Sequence, residues 1–430
     1  MLGDMVEKAS GEIGRRYGEA KARYAGELGV DTDAALAVLA RLPLSIHCWQ
    51  GDDVGGFERT DSKLEGGGLA VTGNHPGRAR TPDELRADLD RALSLIPGPH
   101  RVNLHAMYGE FGGKAVDRDQ VGPEHFAGWI AWAKARGYGL DFNATCFSHP
   151  KAADGFTLSH RDPAVRAFWV EHVRRCRKIG AAMGRELGSA CVHNLWIPDG
   201  SKDHPTDRYQ RRAWLREALD TIYADAQPAG SLKDAIEGKL FGIGSEAFVV
   251  GSHEFYLAYA VRKGLMPCLD LGHYHPTESV SDKLPAVLQF CPEVLLHLSR
   301  GVRWDSDHVV VLDDEIRAVM AEVVRAGAVN RVILALDYFD ASLNRVGAWV
   351  TGARAVLTAL LLALLEPTPR MRESEAAGDL FGRLALLETA KQMPCGAVWD
   401  RYCAMSGVPA GQDWIAAIRR YESEVQSGRK

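Results

Sequence analysis

The chain has 430 residues, enough for one large barrel with additions or for two to three average domains. At 46% hydrophobic and 25% charged, its composition is that of an ordinary globular protein, which excludes a largely disordered chain. The net charge of −5 gives no electrostatic reason to expect nucleic acid or another polyanion as a partner.

Residues 1–40 read as a helical extension of two helices. Glu7, Glu12, Arg15, Arg16, Glu19, Lys21 and Arg23 give the first a polar surface. Gly29 can end it, and Asp31 or Thr32 can cap the next. After Leu42-Pro43 the chain changes to short apolar runs separated by amphipathic segments. Eight of these runs are strand candidates: Leu44–Cys48, Arg101–His105, Gly139–Thr145, Ala190–Trp196, Leu232–Leu240, Met266–Leu271, Val294–Ser299 and Arg331–Asp337. Helical patterns such as Pro82–Leu95 and Pro163–Met183 lie between most of them. This alternation predicts a parallel α/β sheet, and eight units fit a (β/α)8 TIM barrel with insertions over residues 41–360. A doubly wound open sheet is the alternative, but its glycine-rich phosphate turn after the first strand is missing. Gly66-Gly67-Gly68 is followed by Leu69-Ala70 and not by a P-loop Lys-Ser/Thr, so it reads as a flexible turn.

The most apolar stretch, Ala355 to Leu365, is far short of the roughly 20 residues that span a bilayer. It reads as a buried helix closed by Glu366-Pro367, and no membrane partner is expected. Residues 361–430 continue as a C-terminal helical arm. Trp399, Tyr402, Trp414, Ile415, Ile418 and Tyr421 in that arm need a surface to cover, on the barrel or on a neighbouring subunit. The eight cysteines form no Cys-x-x-Cys pair, and Cys48, Cys191 and Cys268 read as small buried hydrophobes. With no signal peptide at the start, a reducing cytoplasm is the expected location.

Four apolar runs end in metal-ligand residues: Glu237, Asp270, His297 and Asp337. A buried carboxylate is costly unless it is paired or binds a cation. The working residues of such barrels sit at the C-terminal ends of the strands. That rule selects His47 and Trp49, His105, Asn143, Trp196, Glu237 with Lys239, Asp270 with His273, His297 and Asp337, with Asp305 and Asp307 in the loop after the seventh strand. Strand alternation places Glu237 and Lys239 on one side. An extended Asp305-x-Asp307 would point both carboxylates at one cation, and Asp270-Leu271-Gly272-His273 lets the chain turn back towards it.

Taken singly, these residues have plainer explanations. Asp337 alone is more often a helix cap, His297 alone a hydrogen-bonded core histidine, and Asp305-x-Asp307 alone a solvated turn. Seven ligands in the order that one barrel site requires favour a metal site. Oxygen-rich sets with one imidazole each suit Mn²⁺, Mg²⁺ or Co²⁺ better than a cysteine-rich zinc site would. Lys239 beside a metal points to a catalytic or substrate-holding role. His204, His253 and His308 read as surface or supporting residues, and Asp313-Asp314-Glu315 as a helix start.

Several segments resemble the L-rhamnose isomerase family over nearly the whole chain, most clearly over residues 40–370. They are His47-Cys-Trp-Gln-Gly-Asp-Asp-Val-Gly-Gly-Phe57, Leu140-Asp-Phe-Asn143, Trp196-Ile-Pro-Asp-Gly200, Lys239-Leu-Phe-Gly-Ile-Gly244, Arg303-Trp-Asp-Ser-Asp-His308 and Leu336-Asp-Tyr-Phe-Asp340. The Glu-x-Lys, Asp-x-x-His and Asp-x-Asp pattern is also similar to the wider xylose isomerase group. The resemblance implies a homotetramer of (β/α)8 barrels, each with two divalent ions, usually Mn²⁺, with Co²⁺, Mg²⁺ or Zn²⁺ as alternatives. It also implies interconversion of L-rhamnose and L-rhamnulose. On that pattern Glu237, Asp270, His297 and Asp337 hold a structural ion. His273, Asp305 and Asp307 hold a catalytic one, and Asp270 is a candidate bridge. Gly301 stands where the family pattern leads one to expect proline. The implied reaction is a hydride shift from C2 to C1 with Lys239, His105 and Asp337 as catalytic groups, His105 aiding ring opening. Trp49, Phe57, Trp196 and His105 would contact the sugar. An enediol route is the rival within this class. A sugar isomerase of broader preference, a barrel endonuclease and a non-enzymatic sugar-binding protein are the rival functions.

Overall fold

A computed structural model describes residues 2–58, 72–240, 247–302 and 307–429, the first nine of these by their backbone alone. Eight parallel strands close into a barrel: β1 (Leu44–His47), β2 (His100–His105), β3 (Gly139–Asn143), β4 (Cys191–Trp196), β5 (Leu232–Glu237), β6 (Met266–Asp270), β7 (Val294–Leu298) and β8 (Val332–Leu336). Each strand pairs with its sequence neighbours, and β1 closes the ring by pairing with both β2 and β8. The alternation of apolar runs with helical patterns thus leads to the expected (β/α)8 TIM barrel. Six of the eight strands stop one to three residues short of the expected runs, and β2 and β4 end where they do. The clearest case is β5, which ends at Glu237 where the run continues to Leu240.

The helices before and between the strands are α1 (Leu2–Arg23), α2 (Thr32–Leu39), α3 (Pro82–Leu93), α4 (Ala127–Arg136), α5 (Pro163–Leu187), α6 (Arg208–Tyr223), α7 (His253–Lys263), α8 (Val280–Val287) and α9 (Asp314–Arg325). After β8 come α10 (Arg345–Leu364), α11 (Thr368–Ala376), α12 (Leu380–Lys391), α13 (Cys395–Met405) and α14 (Asp413–Glu424). Helix starts follow their capping chemistry. Asp31 accepts hydrogen bonds from the Asp33 and Ala34 amides, and Asp313 accepts one from the Ile316 amide. Gly29, at φ 69°, ends the π-helical turn that extends α1.

The apolar run at Ala355–Leu365 lies largely in α10, the most buried helix of the outer ring. This helix is long and apolar enough to cross a membrane by composition, but 72% of its apolar window is buried inside the protein. The C-terminal arm folds back on its own chain. Tyr402 is buried, and α13 packs against α1 and α10. At the far end Arg429 donates to both Asp88 oxygens at 2.6 and 2.8 Å, tying the C-terminus to α3.

The barrel interior is divided in chemistry. Val192, Ala235, Met266, Cys268, Leu295 and Ala335 fill the side formed by β4 to β8. The side formed by β1 to β3 is polar. There Asp141 accepts from Arg101 Nη2 at 2.8 Å, from Ser45 Oγ at 2.7 Å and from the Val192 amide at 2.9 Å. Gly139 has no side chain because a Cβ would lie 2.5 Å from the Arg101 guanidinium. The pair is almost fully buried, so removing one partner strands the other's charge. Asp141→Ala is therefore expected to lower stability by about 3–5 kcal/mol in urea titrations. A loss below about 1 kcal/mol would show that the arginine finds a substitute partner.

Candidate metal centre

Parallel register brings the strand-end ligands to one rim. His297 on β7 lies opposite Asp270 on β6 and Ala335 on β8, and Glu237 on β5 lies opposite Cys268 on β6. Asp337 follows β8 directly. Ligand atoms of Glu237, Asp270, His297 and Asp337 all lie within 4.8 Å of one another. His297 Nδ1 is 3.0 Å from Asp337 Oδ2, 3.2 Å from Glu237 Oε2 and 3.7 Å from Asp270 Oδ2. Despite these short separations His297 Nδ1 makes no aligned hydrogen bond, and neither does Asp270 Oδ2. The donor atoms converge on a shared point and not on one another.

One oxygen of each acid is also tied back into the protein. Asp270 Oδ1 accepts from the Gly272 amide at 2.6 Å and from Ser299 Oγ at 3.1 Å. Asp337 Oδ1 accepts from Trp49 Nε1 at 3.1 Å, and Glu237 Oε2 from Asn194 Nδ2 at 2.6 Å. Such supporting bonds orient ligands for an ion. The charges fit one too. Burial drives the Asp270 carboxyl well up from its usual range, with Glu237 and Asp337 adding to this and His273 opposing it. Burial also opposes ionisation of Glu237, but His297 and His273 hold its carboxyl well below the usual range. Burial pushes the His297 imidazole down, but Cys268, Glu237 and Asp337 outweigh it and raise it above its usual range. Two buried carboxylates, the partly exposed Asp337 and a buried imidazole form a set that suits a hard or borderline divalent cation.

The other site candidates are placed as follows. His273 is buried, its Nδ1 2.9 Å from Glu237 Oε1, and it stands outside the group of four. Asp307 lines the same cavity. Its φ of 41° is left-handed, so the extended geometry expected for Asp305-x-Asp307 does not hold at this residue. The chain turns there because residues 300 and 308 pair backbone to backbone at 3.0 and 3.2 Å. Asp305, like Arg303, Trp304 and Ser306, lies outside the described residues, as do Gly66-Gly67-Gly68 and the Phe241–Gly244 part of the Lys239 segment.

Lys239 lies two residues beyond the end of β5 and lines the same cavity as Glu237. Gly238 between them passes close to His253, where a Cβ would meet His253 Nδ1 at 2.8 Å. The Lys239 amide then donates to Gly251 O, and its ammonium sits 4.8 Å from the Trp196 ring centre.

Trp49, His105 and Trp196 line the cavity, together with Val54, Asn143, Phe147, Asn194 and Phe339. Phe57 is not among the lining residues and packs edge-on against Tyr108, 5.6 Å between ring centres. Phe147, from the loop after β3, stands between His105 and Trp196. Asn194 was legible as the residue two before Trp196 on the same face of β4. Phe147 carried no such signal. His47 is wholly buried beside Trp49 and Tyr338, and burial pushes its imidazole down to about 3. His253 supports the site by hydrogen bonding to His273 O at 2.8 Å. The cavity has a volume of about 50 Å³ and opens to solvent.

A family model described as L-rhamnose isomerase (RhaA) matches residues 11–429. The chain is 56% identical over 420 residues to L-rhamnose isomerase of Rhodopirellula baltica, covering 98% of each chain. It is 53% identical over 410 residues to the enzyme of that name from Escherichia coli strain K12, covering 95% of this chain and 97% of that one. A solved L-ribulose 3-epimerase superposes with a TM-score of 0.46 at 15% identity, covering 79% of this chain and 98% of that one. That likeness is too loose to carry an argument.

Metal loading should titrate with Asp270. Because burial favours its protonated form, a cation must displace a proton to bind, so affinity falls as pH drops and binding releases protons. Calorimetry of Mn²⁺ binding in buffers of different ionisation enthalpy should report that release. Asp270→Asn should lose both the proton release and most of the bound metal while the barrel stays folded. Full metal occupancy in that variant would remove Asp270 from the ligand set.

Proposed function

The chain belongs to the L-rhamnose isomerase family, and we propose that it interconverts L-rhamnose and L-rhamnulose in the cavity above Glu237, Asp270, His297 and Asp337. Aldose–ketose isomerisation follows from the family. The substrate, the ions and the route are the reading argued here. The observation that carries it is the convergence of four ligand groups, three of them buried, within 4.8 Å beneath an aromatic-walled cavity.

Glu237, Asp270, His297 and Asp337 would hold one divalent ion, and His273 and Asp307, with Asp305, a second. Oxygen donors with one imidazole each favour Mn²⁺, with Co²⁺, Mg²⁺ or Zn²⁺ as alternatives. Bound there, such ions supply Lewis acidity that polarises the sugar's hydroxyl and carbonyl oxygens. The chain's own groups do the rest. Trp49, Phe147, Trp196 and Phe339 give the sugar apolar faces and exclude water. His105 lies where it can reach a ring oxygen during opening. Lys239 presents its charge at the cavity wall, where negative charge develops on O1. Among the described residues, every carboxylate lining the cavity belongs to the ligand set, so none is left as a base for an enediol. This favours a hydride passing directly from C2 to C1.

Assembly into a homotetramer is part of the same reading. Helix α12 has no buried residue, while Leu380, Phe381 and Leu384 on it are 63%, 81% and 49% exposed. A second copy of this chain is the natural cover for that face. Eight free cysteines, seven of them buried, accord with the reducing cytoplasm.

A colorimetric ketose assay on L-rhamnose should detect product with Mn²⁺ present and lose it in EDTA. No ketose from the metal-loaded enzyme would reject the substrate assignment. Run in D₂O, a single turnover should leave C1 of the product almost free of deuterium, whereas substantial label would require an enediol. Lys239→Met should lower kcat by roughly a hundredfold or more, with a smaller effect on sugar binding. Equal losses in kcat and kcat/KM without weaker binding are the signature sought; a rise in KM alone would make Lys239 a binding residue.

A further inference from the structure

Thr145, just beyond β3, is held at three points although it does not line the cavity. Its amide donates to His172 Nε2 at 3.0 Å, and its carbonyl accepts from Arg118 Nη1. Its hydroxyl lies 3.2 Å from His105 Nδ1 and accepts, more weakly, from the Met107 amide at 3.4 Å. The supports are themselves fixed. Arg118 is 2% exposed and forks onto both Glu58 oxygens at 2.7 Å, while Nη1 also donates to Phe147 O at 2.8 Å. Because His172 Nε2 accepts from Thr145, its proton must sit on Nδ1, which donates to Arg118 O at 2.9 Å.

The same accounting decides His105. A backbone amide can only donate, so the Met107 contact takes none of the Thr145 hydroxyl's hydrogen. Thr145 is fully buried, and among the described residues His105 Nδ1 is the acceptor its hydroxyl has. An unspent buried hydroxyl hydrogen is costly. Thr145 therefore donates to Nδ1, and the imidazole's own hydrogen is on Nε2, the nitrogen left for the cavity that His105 lines.

We infer that Thr145 is a positioning residue that fixes His105 as its Nε2–H tautomer, making His105 a hydrogen-bond donor to the sugar ring oxygen and not a base towards the O1 hydroxyl. The inference rests on the isomerase reading above and goes beyond it by assigning direction to the hydrogen bond. A donor at O5 assists the departure of that oxygen from C1 as the ring opens, and the imidazole keeps its hydrogen throughout. The O1 hydrogen leaves to solvent water as C1=O1 forms and the C1–O5 bond breaks, and O5 takes a hydrogen from solvent, so the open chain carries a hydroxyl at O5 and the imidazole ends as it began.

Two measurements test this. Neutron diffraction of the Mn²⁺-loaded, deuterated enzyme should find deuterium on His105 Nε2 and none on Nδ1, with the Thr145 deuteron pointing at Nδ1. Deuterium on Nδ1 would overturn the inference. The second uses L-rhamnose carrying deuterium at C2. In Thr145→Val, turnover should fall roughly tenfold or more, the scale of one lost hydrogen bond. Ring opening should then limit the rate, so the C2 isotope effect shrinks towards unity. Thr145→Ser, which keeps the hydroxyl, should restore most of both. A general loss of packing would lower activity without moving the isotope effect, and an unchanged isotope effect in Thr145→Val would refute the assignment. If the unaltered enzyme fails to convert L-rhamnose, the substrate reading fails, while the neutron result still decides the tautomer.

Discussion

Everything at the C-terminal rim is arranged around one electrostatic constraint. Three carboxylates and an imidazole are crowded into a buried space less than 5 Å across. Like charges so placed repel, and their burial removes the water that would screen them. Asn194, Ser299, Trp49 and the Gly272 amide hold one oxygen of each acid in place, and His273 lies 2.9 Å from the other Glu237 oxygen. A cation at the focus would resolve the remaining repulsion.

The cavity walls depend on buried arginines in a comparable way. Asp53 and Val54 adopt left-handed backbone at φ 58° and 59°, which is strained for a β-branched valine and costs of order 1–3 kcal/mol. Arg345 forks onto Asp53 at 2.7 Å and also donates to His75 O at 2.8 Å, so the turn is held against the start of α10. Arg118 does the same for the loop after β3 through Thr145, Phe147 and Glu58. Both arginines are 2% exposed. Their rigid donor forks suit this task, since each satisfies a carboxylate and backbone carbonyls at once.

Much of this was legible in the chain. The alternation of apolar runs and amphipathic segments announced the barrel. Asp31, Asp313 and Gly29 announced helix boundaries by their capping chemistry. Acids and histidine at the ends of apolar runs announced Glu237, Asp270, His297 and Asp337, because strand ends of a parallel barrel share one rim. These signals are local: each depends on a side-chain period or on a residue's own backbone preference, which a few neighbouring positions determine.

What only the tertiary structure decided are contacts between segments distant in the chain. The close pass of Gly238 against His253 is one of them. Asp307 enters from a left-handed turn closed by the pairing of residues 300 and 308. Phe147 lines the cavity and Phe57 does not, and Thr145 meets His105 forty positions away. Periodicity says which face of a strand a residue occupies. It does not say how the loops beyond the strands cross, because their course is set by packing once the barrel has closed.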